Sequence, residues 1–306
     1  MNERKPSKEG YALIDFGEGR KLERFGDVVI DRPALGARCD KSIPDVWESA
    51  ELIYEGSRLN SREGGWKGNC TLAEGLGDNS RHWDLHVRGL QLRIIPQRTG
   101  QVGVFPEHWN RWDWYADGLA SIAGREPPTV LHLFAYSGAT TLWMARQGAK
   151  VTHVDAMKQA VAWARLNAEL SGLSEKPIRW IVEDARKYVT RELKRGVRYD
   201  LIVLDPPSYG HGRSGEAWEI HRDLVPLMRD CWQLLRQVED PSDPREGGSL
   251  GVVLSCHSRN VSAKELRMEL EGIAGEKIAT EVSSSCLTDQ SGRSLAFGDE
   301  LRFYRA

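Results

Sequence analysis

The sequence predicts an α/β protein: a Rossmann-like, doubly wound and mostly parallel sheet, preceded by a small antiparallel β domain. Three observations predict it. From about residue 129 onward, short apolar runs alternate with segments of helical period, the pattern of parallel strands covered on both faces. The run Leu201-Ile-Val-Leu204 is apolar at every position, as a strand at a sheet centre requires. Before about residue 110 the runs have period two and are separated by Gly, Pro and Asn, which suits antiparallel hairpins. A chain of 306 residues has room for both units, and the reading sets them at 1–110 and 111–306.

The elements justify themselves in order. Val28-Val-Ile30 before Asp31-Arg-Pro33, and Trp83 to Val87 leading into Leu90 to Ile94, are the strands of the first unit; residues 56–80 between them are glycine-rich loop. In the second unit, Val130 to Phe134 is a buried strand, followed by a helix from about Ala139 that stops at Gly148. Val151 to Val154 is the next strand, and Met157 to Ser171 a helix closed by Gly172. Ile178 to Val182 and Leu201 to Leu204 are the third and fourth strands. Ile220, Leu224, Leu227, Met228, Cys231 and Leu235 mark one stripe of a long amphipathic helix. Residues 238–248 form a solvated turn, Leu250 to Ser255 the fifth strand, and Ser262 with Glu265 a capping box. A last strand holds Leu301-Arg-Phe303-Tyr304.

Composition narrows the function classes. No apolar run reaches the length of a membrane span, and the first residues lead into no apolar secretory core. Five scattered cysteines make neither a disulfide framework nor a zinc motif, so a reduced, cytoplasmic protein without a metal is expected. A net charge of −2 argues against a protein that coats nucleic acid, and any such contact must come from a folded patch. Oligomeric state is not written in the sequence.

Ligands of doubly wound sheets sit beyond the carboxyl ends of the strands. There the chain carries Phe134-Ala135-Tyr136-Ser137-Gly138, a tight turn into a helix, then Asp155 after the second strand and Asp184-Ala185 after the third. A dinucleotide turn needs several glycines for close approach of a pyrophosphate. This turn has one glycine and two bulky aromatics, which favours S-adenosylmethionine (SAM), a cofactor without phosphate. Asp155 can then take the ribose hydroxyls, Met157 press on the adenine face and Asp184 accept from the adenine amino group. A single strand-end aspartate is commonly only a helix cap; the turn, Asp155 and Asp184 in register point to a ligand.

The turn, Asp155, Asp184 and Asp205-Pro206-Pro207-Ser208-Tyr209 together resemble the class I SAM-dependent methyltransferases. More narrowly they resemble the bacterial enzymes that methylate 23S ribosomal RNA at cytosine C5 or guanine N7, so the resemblance implies a ribosomal RNA partner; the alternatives are a methyltransferase acting on a small molecule or protein side chain and a non-catalytic nucleotide-binding protein. It covers about residues 100–260, and the stretches Tyr11–Asp15, Gly19–Gly26 and Gly103–Glu107 are similar to segments of some relatives. By analogy, Gly103–Glu107 closes over the methionine end of SAM.

The acceptor side follows the fourth strand. Pro206 and Pro207 fix an extended backbone whose carbonyls can accept from an amino or ring N–H. Tyr209 can stack a base taken out of its helix or pack the loop. Gly210 to Gly215 reads as a loop that orders over substrate, with Arg213 available to a phosphate. Cys256 ends the fifth strand; in the cytosine-C5 enzymes a cysteine at this place attacks C6, whereas transfer to nitrogen needs none and leaves Cys256 a buried small hydrophobe. His257, next to it on the strand, points to the other face and has no assigned role. His82 and His86 share a strand face without a third ligand. Trp109, Trp112, Trp114 and Tyr115 read as a hydrophobic join between the two units, and the basic cluster from Arg186 to Arg198 as a solvated helix face.

Overall fold

In the computed structural model the described residues are 10–56, 64–68, 82–124, 126–211, 217–236, 249–256, 261–274 and 278–305. They fall into two compact units: Met1–Glu107 with Cys286–Phe297, and His108–Ser285 with Gly298–Ala306.

The first unit contains β1 (Tyr11–Gly17), β2 (Arg20–Phe25), β3 (Val28–Pro33), β4 (Leu52–Glu55), β5 (Gly65–Lys67), β6 (Trp83–Val87) and β7 (Leu90–Ile94). Sheet order is β1-β2-β3-β4-β5, with β6 and β7 a separate hairpin. Glu18-Gly19 and Arg88-Gly89, all at positive φ, turn the two tight hairpins β1–β2 and β6–β7. The antiparallel expectation meets one exception: β3 and β4 run parallel. The 34–51 connection, with a short 3-10 helix at Pro44–Ser49, is long enough for the crossover that a parallel pair needs.

Buried charge organises this unit. Glu23, fully buried, accepts from Tyr11 Oη at 2.8 Å and pairs with Lys21 at 2.9 Å and Arg32 at 2.5 Å. Burial alone would raise its pKa, but the two cations hold it down at about 2. Asp15, equally buried, accepts from Ser42 N, Ile43 N and Trp47 Nε1 and pairs with Arg293. The sequence reading assigned everything after residue 110 to one domain. The segment 286–297 instead belongs with the first unit, because Leu287 and Leu295 complete an apolar cluster with Leu13, Phe16, Ala34 and Ala37.

The second unit runs α1 (Trp112–Ser121), β8 (Thr129–Leu133), α2 (Ala139–Arg146), β9 (Lys150–Asp155), α3 (Lys158–Leu170), β10 (Ile178–Val182), α4 (Ala185–Lys194) and β11 (Leu201–Leu204). It continues with β12 (Tyr209–His211), β13 (Ala217–Glu219), α5 (Ile220–Leu234), β14 (Gly251–Cys256), α6 (Ala263–Ala274), β15 (Ile278–Thr288) and β16 (Ser294–Arg305). Among the described residues the sheet has seven strands in the order β10-β9-β8-β11-β14-β16-β15. The first five are parallel, and β16 is antiparallel to β14. Strand order therefore reverses between β8 and β11, which opens a crevice at their carboxyl ends.

The two faces of this sheet differ. Leu131, Leu133, Ile202, Leu204, Val252, Leu254, Leu301 and Phe303 share one cluster with side chains of α4, α5 and α6. Strand alternation sends His132, His153, Val203, Ser255 and Glu300 to the opposite face. Trp112 stacks there on Trp143 at 4.9 Å within the second unit, fully buried. The half capping box forms as Glu265 N donates to Ser262 Oγ at 3.3 Å. Among the described residues no helix is long and apolar enough to cross a membrane, and no group of three or more His, Cys, Asp or Glu could hold a metal ion. The expected turn at 238–248 and most of the expected loop at 56–80 lie outside the described residues.

Candidate active site at the sheet switch point

The turn after β8 is unusual in its backbone. Phe134 (φ 55), Tyr136 (φ 49) and Gly138 (φ 84) are all left-handed, separated by single residues. Each non-glycine residue in that region costs on the order of 1–3 kcal/mol, so the surroundings must over-determine the turn. They do. Ala135 N donates to Val154 O, Gly138 N to Ala135 O, and Asn167 Nδ2 to Ser137 O at 2.9 Å. Tyr136 N donates to Asp155 Oδ2 at 2.9 Å and Met157 N to Asp155 Oδ1 at 2.8 Å. Gly138 has no alternative: a Cβ there would lie 2.8 Å from the Ala164 Cβ on α3.

The structure thus brings together Phe134, Ala135, Tyr136, Ser137, Gly138, Asp155 and Met157. Burial raises the pKa of Asp155, against the two backbone N–H groups that favour its charged form. Met157 is half exposed beside it. Asp184 is the cap of α4, accepting from Arg186 N and Lys187 N, and its carboxylate also pairs with Arg186 at 2.9 Å. Ala185 is buried next to it.

Below the turn lies a polar triad that no spacing announced. Thr141 Oγ1 on α2 bridges His132 Nδ1 at 2.7 Å and His153 Nδ1 at 3.0 Å. Burial drives the His132 pKa down to about 3 and lowers that of His153 as well, so both are neutral. Asn167 was missed too; its only trace in the sequence is one amide among the alanines of the buried stripe of α3.

On the acceptor side, Asp205 follows β11 with its side chain 20% exposed, and His108 Nε2 stands 3.7 Å from Asp205 Oδ2. Of the two proline carbonyls expected to be free for the acceptor, that of Pro207 is already taken. Pro207 O accepts from Trp218 Nε1 at 2.6 Å, a partner supplied by the β12–β13 hairpin. Trp218 also packs on Phe134, with ring centroids 4.9 Å apart, and so ties the acceptor segment to the turn after β8. Arg186 anchors the same hairpin, pairing with Asp184 and Asp223 and lying over the Trp218 ring. Tyr209 is 72% exposed. Arg213, with residues 212–216 around it, and His257 lie outside the described residues.

Cys256 is buried at the end of β14, in register with Asp299. Alternation puts it on the side of Val252 and Leu254, facing α5 and α6. Asp205, one residue beyond Leu204, belongs by the same rule with Val203 on the other face.

The comparisons with known proteins agree with this geometry. The chain is 33% identical to a SAM-dependent methyltransferase from Agrobacterium tumefaciens, whose crystal structure matches with a TM-score of 0.81 over 98% of this chain and 92% of that one. The chain belongs to the SAM-dependent methyltransferases. A structure from Streptococcus mutans, 18% identical with a TM-score of 0.66 over 95% of this chain and 74% of that one, shares the fold of this methyltransferase. Residues 119–220 match the family described as conserved hypothetical protein 95. Over 208 residues the methyltransferase is 26% identical to the ribosomal RNA large subunit methyltransferase K/L of Aliivibrio fischeri. That match covers 67% of this chain but only 27% of the relative.

Proposed function

We propose that this methyltransferase binds SAM over the carboxyl ends of β8, β9 and β10 and transfers its methyl group to a nucleobase of ribosomal RNA in the cytoplasm. The observation that carries the reading is the switch point, where the Phe134–Gly138 turn and the Asp205–Tyr209 segment leave adjacent strands. The residues fit the cofactor. An ionised carboxylate has about four acceptor positions; Asp155 gives one to Tyr136 N and one to Met157 N, which leaves capacity for the ribose hydroxyls. Met157 offers a thioether to the adenine face; of the four hydrogen bonds Asp184 accepts from Arg186 and Lys187, only one falls on Oδ2, and that oxygen is the one left to the adenine amino group.

SAM supplies an electrophilic methyl group on a cationic sulfur, and the chain supplies alignment. Asp205 and the Pro206 carbonyl orient the acceptor, while the exposed Tyr209 ring stacks on a base removed from its helix. The ribosomal RNA reading is supported by the Aliivibrio fischeri relative, named for that substrate. Cys256 reads as a buried small hydrophobe at the end of β14, which favours transfer to nitrogen, where no cysteine is needed, over a covalent route to cytosine C5. Mass spectrometry of ribosomal RNA from cells lacking the protein is the test. Loss of one methylated base, restored in vitro by the purified chain with SAM, is the expected result, and an unchanged modification profile would refute the substrate.

A further inference from the structure

The second unit gathers ionisable groups around Asp205. His108 and Arg111 precede α1, Tyr115 lies on it, His132 is on β8 and Glu300 on β16. Because β16 is antiparallel, its early residues reach the carboxyl end of β14, where Glu300 pairs in register with Ser255. Glu300 is 5% exposed and forms an ion pair with Arg111. Burying such a pair costs several kcal/mol of desolvation that its mutual attraction scarcely offsets. An apolar pair would close the same space at least as well. His108 Nε2 is buried and faces Asp205 Oδ2 across 3.7 Å. The charges that act on Glu300 are those of Arg111, His108 and Asp205, and burial raises its pKa. Glu107, the residue before His108, faces Lys21 and Arg32 within the first unit instead.

We propose that His108 receives, through Asp205, the proton released by an acceptor amino nitrogen, with Glu300 and Arg111 fixing the imidazole against the Asp205 carboxylate. The inference rests on the acceptor role of Asp205 given above and on an exocyclic amino acceptor; a ring nitrogen such as guanine N7 has no N–H to release, so an N7-methylated product would overturn it. As the amino nitrogen takes the methyl group, the C–S bonding pair stays on sulfur and the nitrogen becomes cationic. Its N–H bond then breaks, the pair returning to nitrogen and the proton going to Asp205 Oδ2. From there it passes to His108 Nε2, which restores the carboxylate and leaves an imidazolium beside Asp205 and Glu300. Water takes this proton when the product departs. Aligned groups at such separations commonly tighten when substrate binds. His108 touches neither cofactor nor acceptor and is a positioning residue acting through Asp205.

The experiment uses the full chain and tritiated SAM, with transfer counted separately into the RNA, protein and small-molecule fractions of a lysate from cells lacking the protein. His108→Ala should lower transfer at saturating SAM by about 100-fold and leave the KM for SAM within about twofold. Added imidazole should restore much of the loss. Glu300→Gln should lower the rate less, without imidazole rescue. A loss that imidazole does not repair, or one confined to the KM for SAM, overturns the proposal. A substrate-free readout accompanies it: the ring nitrogen resonances of His108 should shift in Asp205→Asn, and identical spectra would also overturn it. Should wild-type transfer enter only the protein or small-molecule fraction, the ribosomal RNA reading fails while the His108 result is still read on that fraction.

Discussion

The two halves of the proposed site are built on opposite principles. On the cofactor side, the turn after β8 is held by backbone hydrogen bonds, one glycine and a neutral, buried His132–Thr141–His153 triad. On the acceptor side, Asp205 sits among charges and Tyr209 stands in solvent. In the first half hydrogen bonds over-determine a strained turn; the second presents ionisable and stacking groups where the proposed acceptor would sit. The difference teaches where to expect loss of the fold and where only loss of turnover.

The largest effect should come from acid. An unfolded imidazole binds its proton near pH 6.5, whereas buried His132 does so only at about 3. Between these values the unfolded chain holds more protons, so stability falls as pH falls, by up to about 4–5 kcal/mol from this residue alone. Denaturant titrations across pH 7 to 3 should show that slope, and His132→Asn should flatten it. An equally steep slope in the variant would break the contrast between a neutral and a charged half.

Next in size is Gly138→Ala. The new methyl must displace Ala164 and accept a left-handed backbone, which should cost about 2–4 kcal/mol of stability and abolish SAM binding in calorimetry. Asp155→Ala should be milder: SAM affinity weaker by about 1.5–3 kcal/mol with the fold retained, as melting curves would verify. Unchanged affinity would remove Asp155 from the cofactor site.

Tyr209→Ala should be the smallest. Loss of one stacking contact is worth about 1–3 kcal/mol and should appear in the KM for RNA, with SAM affinity unaltered. An altered SAM affinity would show that the two halves are not separable.

The parallel half of the fold was legible because its central strands are nearly unbroken apolar runs; Leu201 to Leu204 and Leu250 to Leu254 could be little else. Gly148 and Gly172 ended their helices at positive φ as expected. β15 was missed because, at the edge of the sheet, it carries Thr280, Glu281 and three consecutive serines in place of an apolar run. The parallel β3–β4 pair was hidden because pairing across a long connection leaves no local signal. At the site, the turn and its aspartates could be read since each closes a strand in a fixed order. The His132–Thr141–His153 triad could not, because histidines inside apolar strands look like ordinary core residues. Nor could the meeting of His108, Asp205 and Glu300, which only strand order and an antiparallel last strand bring about.

The Asp15 cluster sets an order of events during synthesis. Its carboxylate is buried against Arg293, and its apolar neighbours Leu13 and Phe16 are covered by Leu287 and Leu295. A nascent chain that has emerged only as far as residue 285 holds every strand from β1 to β7 yet lacks the cation and the leucines that close their core. The unit translated first is therefore completed last, after the whole parallel sheet has left the ribosome. A piece of the gene ending before residue 286 would give a first unit whose buried carboxylate keeps its hydrogen bonds from Ser42, Ile43 and Trp47 but has lost its cation, whatever the condition of the rest.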